Sequence, residues 1–269
     1  MSADSRREQL RTLVKKRGFA ALGELAETLS VSESTIRRDL DSLEEVGDAR
    51  RTHGGVYWTG DSDTIEVFQG RHAADWPAKQ EIGRIASTLV TDHDTILLDG
   101  GSTVYELARR LLHRPLQVVT NSLPVAHLLS TSESIDLILV GGCVRGRTSV
   151  TYGPLTNEQL ARINVAKAFV SVAGVTERGF FNSDMLLAES EQAMIAAAGE
   201  TIVLADSSKF GRVSLSRICG LGDVQRVVSD SGLHSDWKHW VESAGVQLHS
   251  PAKQPRTPLV DQSHDCTEV

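Results

Sequence analysis

The chain has three cysteines in 269 residues, Cys143, Cys219 and Cys266, and they stand far apart. An odd, scattered set makes no disulfide framework and no metal-spaced pair, so neither a zinc site nor any other metal is expected, and the setting is a reducing one. Long apolar runs are missing too. No stretch comes near the roughly 18 consecutive apolar residues of a membrane span, and the opening MSADSRREQLRTLVKKRG has no apolar signal core. A soluble cytoplasmic protein without membrane partners is expected. The third absence is net positive charge: the formal value is −7. This looks wrong for a nucleic-acid binder until the chain is divided. Residues 1–57 hold ten basic and ten acidic side chains, and residues 58–269 hold 18 and 25. An acidic body with a neutral, locally basic head limits non-specific sticking while leaving the head its phosphate contacts.

What is present begins with SVSESTIRRDLDSLEEVGDARRTHGG, residues 30–55. Ser32 is suited to cap a helix, because its side-chain oxygen can accept a first-turn amide hydrogen. Ile36, Leu40 and Leu43 follow at i, i+4 and i+7, one apolar stripe. Ser34 and Arg38 point away from that stripe, with Thr35 and Arg37 on its flanks. A helix N-terminus with hydroxyls and arginines on its free face suits the major groove of DNA: its amides favour phosphate, and an arginine fork reaches guanine edges. Arg50, Arg51 and His53 then lie in a short segment ending in Gly54-Gly55, which reads as a basic β-wing over the backbone. The competing reading is an ordinary capped helix whose arginines pair with Asp39, Asp41 and Glu44.

Upstream, residues 5–17 carry Leu10, Leu13 and Val14 on one face, and Ala21 to Leu29 carries Leu22, Leu25, Ala26 and Leu29. Together these predict a winged helix-turn-helix over 1–57. Residues 58–77 lose periodicity and read as a linker, and a helix resumes from Lys79 to Val90.

From Thr95 the texture becomes short apolar runs alternating with helical patterns. The runs are Ile96–Leu98, Val118–Val119, Ile135–Val140, Phe169–Val172, Ile202–Leu204 and Val227–Val228, mostly continuous, as strands buried on both faces should be. Helices are expected at Ser102–Leu112, Pro124–Leu129, Met185–Ala198 and Leu233–Val246, the last bringing Trp237 and Trp240 to the core. This alternation predicts a mainly parallel α/β sheet over 78–249, with 250–269 a disordered, proline-bearing tail.

Ligands bind such sheets beyond the carboxyl ends of the strands. Those ends are polar here: Asp99-Gly100-Gly101-Ser102-Thr103, Thr120-Asn121-Ser122, Gly141-Gly142 and Asp206-Ser207-Ser208-Lys209. The Gly100 to Thr103 loop enters a helix, so its amides and hydroxyls suit a phosphate, with Lys209 as the compensating cation. Asp99 and Asn121 suit the hydroxyls of a sugar or polyol. The alternative is an enzyme with Asp99, Asp184 or Asp206 as base and Lys209 as electrostatic partner. No nucleophile–base triad or metal pair supports it, and no cofactor is expected.

The motifs VSESTIRRDLDSLE and RTHGG, followed by LDGGST, VVTNS, LVGG and LADSSKFG, resemble those of the DeoR family of bacterial transcriptional regulators over about residues 6–248. The resemblance implies a repressor of a sugar or polyol operon. Its C-terminal domain, similar to the ribose-phosphate isomerase and CoA-transferase fold, would sense a phosphorylated metabolite. The expected partners are operator DNA, that effector, and further copies of the chain in a dimer or tetramer. The sequence departs from the family pattern at Ala49 and Thr52, where relatives have larger aliphatic residues. It departs also at Glu191, where many carry lysine, and Glu191 is expected to be an exposed helix residue.

Overall fold

The computed structural model describes residues 3–17, 19–45, 48–52, 55–58, 75–146 and 148–251. In the head, α1 (Ala3–Arg17), α2 (Leu22–Leu29) and α3 (Glu33–Glu45) each turn an apolar stripe inward. Leu10 and Val14, Leu25 and Leu29, and Ile36, Leu40 and Leu43 meet in one buried cluster, closed by Ala49, Val56 and Trp58. The helical period puts these side chains on one face, and removing them from water is what holds three short helices together. Three antiparallel strands complete the head: β1 (Phe19–Ala20), β2 (Ala49–Thr52) and β3 (Gly55–Trp58), in the order β1-β3-β2. Ala49 is part of this core in spite of its small size.

The linker expected over 58–77 lies largely outside the described residues, but both its ends are structured. Trp58 ends β3 and is buried. The next helix, α4 (Trp76–Ser87), starts three residues before the expected Lys79, because Pro77 occupies its first turn, where its fixed φ and missing N–H suit a helix start. The tail beyond residue 251 also lies outside the described residues.

The body is built on seven parallel strands in the order β15-β14-β12-β9-β4-β5-β6. They are β4 (Thr95–Leu98), β5 (Leu116–Thr120), β6 (Ile135–Leu139), β9 (Val165–Ser171), β12 (Ala198–Leu204), β14 (Arg226–Val228) and β15 (Gln247–His249). The first six coincide with the six runs read from sequence, except that Val140 and Val172 lie just beyond the ends of β6 and β9. Their continuous apolar character follows from cover on both faces. Ile96, Leu98, Val118, Phe169, Ile202 and Leu204 enter one cluster with α4, α5 (Ser102–Leu111) and α6 (Leu123–Leu129). Leu97, Val119, Ala168 and Val170 enter another on the opposite face, with Leu160 of α7 (Pro154–Leu160) and Met194 of α8 (Met185–Ala196). A third cluster gathers Val203, Phe180 and Val241 of α9 (Ser235–Ser243), with Trp237 and Trp240 packed against it.

The chain runs outward from β4 to β5 and β6 on one side, and from β9 to β12, β14 and β15 on the other. The order therefore reverses between β4 and β9, a switch point of the kind that opens a crevice above the strand ends. Elements with no counterpart in the sequence reading flank that crevice. They are the hairpin β7 (Cys143–Arg145) and β8 (Val150–Tyr152), and the small antiparallel sheet β10 (Gly174–Thr176), β11 (Gly179–Asn182) and β13 (Ser216–Cys219).

Candidate functional site

The head is organised by ion pairs around α3. Asp39, buried on its inner side, takes Arg6 of α1 in a bidentate pair at 2.5 and 3.2 Å, with Arg7 at 3.5 Å. Asp41 and Glu44 are occupied by Arg51 of the wing, at 2.6 and 2.8 Å. Glu44 also accepts the Arg51 backbone amide at 2.6 Å, and the Arg51 guanidinium donates to the Arg37 carbonyl at 3.2 Å. The acids that might have neutralised Arg37 and Arg38 are thus engaged elsewhere, and Arg37 instead meets Glu33 at 3.2 Å in an exposed pair. Arg38 is exposed and has no ion-pair partner among the described residues. Ser32 caps the helix, accepting the Thr35 amide at 3.3 Å, and its hydroxyl lies 2.8 Å from that of Ser34 and 2.9 Å from that of Thr35. Arg51, expected as a phosphate contact, here clamps the wing to α3. The Arg50 side chain and His53 lie outside the described residues.

The second site is a cavity of about 330 Å³ at the switch point. That is room for a metabolite, at the lower end of the roughly 300–1,000 Å³ usual for small-molecule sites. All seven residues proposed from sequence line it: Asp99, Gly100, Gly101, Ser102, Thr103, Asn121 and Lys209. Each strand end supplies a different group. After β4, Asp99 accepts the Ser171 amide at 3.1 Å and its hydroxyl at 2.6 Å, joining β4 to β9. Gly100 and Gly101 are glycines for lack of space. A Cβ on Gly100 would lie 1.9 Å from a Val150 methyl, and one on Gly101 1.8 Å from the Ser171 hydroxyl. Gly101 is the N-cap of α5 and offers no side chain, so the amides of the first turn have no side-chain cap at the cavity wall. At the end of β5, Asn121 donates to the Thr151 carbonyl at 3.0 Å, and its Oδ1 is buried without a hydrogen-bond partner. Beyond β12, Asp206 accepts the Ser208 amide at 3.1 Å, and Lys209 stands 3.7 Å from its other oxygen.

Several cavity residues were not placed there by the sequence reading, Lys79 and Glu191 among them. Lys79, buried on α4, shares the inward stripe of Trp76, Ile82 and Ala86, and a lysine on an apolar stripe was the available signal. Glu191 corrects an expectation outright: it is 4% exposed and lines the cavity. Ala188, Glu191 and Met194 share the buried side of α8, a stripe masked because the helix is apolar on other sides as well. Its Oε1 accepts a short hydrogen bond from Asn182 Nδ2, and its Oε2 is buried without a partner. Burial pushes the Glu191 carboxyl well above its ordinary value, and Asp99 and Asp184 raise it further against the Asn182 hydrogen bond. Of the candidate bases, Asp99 and Asp206 reach the cavity with Lys209. Asp184 caps α8 through the Leu186 and Leu187 amides and pairs with Arg145 at 2.8 Å. Among the described residues no group of His, Cys, Asp and Glu is arranged to hold a metal ion. No described helix is long and apolar enough to cross a membrane.

Comparison with known proteins gives two family matches. Residues 6–59 match the DeoR-like helix-turn-helix domain, and residues 75–231 match the DeoR C terminal sensor domain. An uncharacterized HTH-type transcriptional regulator, YulB of Bacillus subtilis, is 34% identical over 87% of this chain and 91% of its own. The lactose phosphotransferase system repressor of Staphylococcus epidermidis is 33% identical, covering 86% and 93%. The L-fucose operon activator of Haemophilus influenzae is 31% identical, covering 87% and 94%. Among solved structures, ribose 5-phosphate isomerase A of Methanocaldococcus jannaschii aligns with a TM-score of 0.38 at 22% identity, over 51% of this chain and 55% of that one. With its helix-turn-helix head, parallel α/β body and matches along nearly all of its length, the chain belongs to the DeoR family of transcriptional regulators.

Proposed function

We propose that this protein represses a carbohydrate operon, with its grip on operator DNA set by a phosphorylated sugar or polyol. The observation that carries the effector is the cavity's chemistry. Uncapped α5 amides, the hydroxyls of Ser102 and Thr103, and the ammonium groups of Lys79 and Lys209 suit a phosphate. Asp99 and Asn121 suit sugar hydroxyls. The names of the lactose and fucose relatives support a carbohydrate operon. For the head, residues 1–57, the support is an exposed Arg38 with no ion-pair partner among the described residues, on the helix that also carries the hydroxyls of Ser34 and Thr35 and is capped by Ser32, with Arg37 on phosphate. The protein acts in the cytoplasm as a dimer or tetramer of a body spanning 78–249, and it requires no metal or cofactor.

A turnover reading has one observation in its favour, the meeting of Asp99, Asp206 and Lys209 in one cavity. Each of those carboxylates, however, accepts a backbone amide, Asp99 from Ser171 at the end of β9 and Asp206 from Ser208 in its own turn, so we assign them to architecture and not to proton transfer. The test is calorimetry on the full chain. A sugar phosphate is expected to bind well above the same sugar without its phosphate, and Lys209→Ala is expected to erase most of that gap. Equal affinity for the two forms would remove the phosphate assignment, and sustained turnover of the ester would restore the enzyme reading.

A further inference from the structure

The phosphate reading, on which this inference rests, leaves one part of the cavity unexplained. Glu191 and Asn121 are 4% and 2% exposed, and each has one oxygen without a hydrogen-bond partner. Their other polar atoms are fixed. Asn182 Oδ1 accepts the Asp184 amide at 3.0 Å, which aims Asn182 Nδ2 at Glu191 Oε1 and leaves Oε2 over. Asn121 Nδ2 is engaged by the Thr151 carbonyl, which leaves Oδ1 over. The charges acting on Glu191 are of its own sign, from Asp99 at the end of β4 and Asp184 at the start of α8. Arg145 is drawn to Asp184 and Lys209 faces Asp206. Lys79 lines the same cavity, but among the described residues no cation pairs with Glu191. A buried carboxyl in such company is stable only as the neutral acid or beside a cation brought from outside.

We propose that the effector carries an amine as well as its phosphate, and that Glu191 Oε2 and Asn121 Oδ1 receive the amine's N–H groups. An ammonium supplies several donors and a positive charge together, meeting both shortages of this wall. A hydroxyl supplies a single donor and no charge. The ligand class is an amino sugar phosphate or a phosphorylated amino polyol. Burial, with the two aspartates beside it, raises the Glu191 carboxyl and so favours its neutral form. When the ammonium arrives, Glu191 ionises beside it and its proton passes to solvent.

The full chain is titrated calorimetrically with three matched pairs: glucosamine 6-phosphate and glucose 6-phosphate, the galactose equivalents, and 1-amino-1-deoxyfructose 6-phosphate with fructose 6-phosphate. Each titration is run in two buffers of different ionisation enthalpy. At least one amino member is expected to bind about tenfold or more tighter than its hydroxyl partner, the scale by which a charge-assisted hydrogen bond exceeds a neutral one. Its binding is expected to release a proton, and Glu191→Gln is expected to abolish both the preference and the release. Equal affinities within every pair would overturn the amine while leaving the phosphate reading in place. A preference that survives Glu191→Gln would overturn the assignment to this wall. If no ester binds more tightly than inorganic phosphate, the phosphate reading and this inference fall together.

Discussion

Arg38 differs from its neighbour in one respect that decides its role: no acid of the described protein holds it, whereas Arg37 is 3.2 Å from Glu33. A free guanidinium on a recognition helix can form the bidentate pair with guanine, worth about 1–3 kcal/mol of discrimination. Arg38→Ala is expected to weaken operator binding by that amount and to relax the base preference at a single position, read on a panel of one-base operator variants. Arg37→Ala is expected to weaken all sequences alike and to flatten the salt dependence. Glu191 carries the other residue-level prediction. Its folded-state carboxyl is raised above the ordinary 4.5, so the native state holds a proton that the unfolded chain has lost. Stability from that proton is fully present below the ordinary value and is lost as pH rises toward the shifted one. Melting curves across pH should show the wild type losing ground to Glu191→Gln over this window, and parallel curves would mean that Glu191 ionises normally.

At the scale of the element, α3 is held from two sides, by Arg6 on Asp39 and by Arg51 on Asp41 and Glu44. Arg6→Ala strips the buried Asp39 of its bidentate partner. It is expected to lower the head's melting temperature and to loosen α1 from α3, visible as faster amide exchange in those two helices and nowhere in the body. The same helix shows what sequence can disclose. Ile36, Leu40 and Leu43 are legible because one side of α3 is apolar and the other is not. The strands of the body are legible because burial on both faces leaves uninterrupted runs such as Ile96–Leu98. Elements of three residues, such as β7, β8, β10 and β15, carry no period long enough to read, whether they pair in a short hairpin, as β7 and β8 do, or add to the sheet edge, as β15 does on β14. The strand-end half of the cavity was legible because glycines, hydroxyls and a lysine collect where strands stop. The opposite wall was not. Lys79 and Glu191 sit inside helices, and only tertiary packing turns them toward the strand ends.

For the whole molecule, a single small head is expected to make too few contacts to hold an operator alone. The protein is expected to assemble through the body into a dimer or tetramer, placing paired heads on half-sites about 34 Å apart or at multiples of that spacing. Footprinting combined with sedimentation should find a symmetric site and an even oligomer, and protection of one asymmetric half-site by a monomer would contradict it. Occupancy of the body can reach the DNA only as a coupling free energy, typically about 1–3 kcal/mol, and operator DNA must then alter effector affinity by the same factor. The clamp formed by Arg51 has a longer-range consequence. Because Asp39, Asp41 and Glu44 are committed to Arg6, Arg7 and Arg51, the residues that hold α3 in place differ from the one proposed to read the operator. A duplicated copy of such a gene is free to change residue 38 and acquire a new target without first surviving a less stable intermediate. One scaffold can thus give rise to a lineage of regulators, each answering to a different stretch of chromosome.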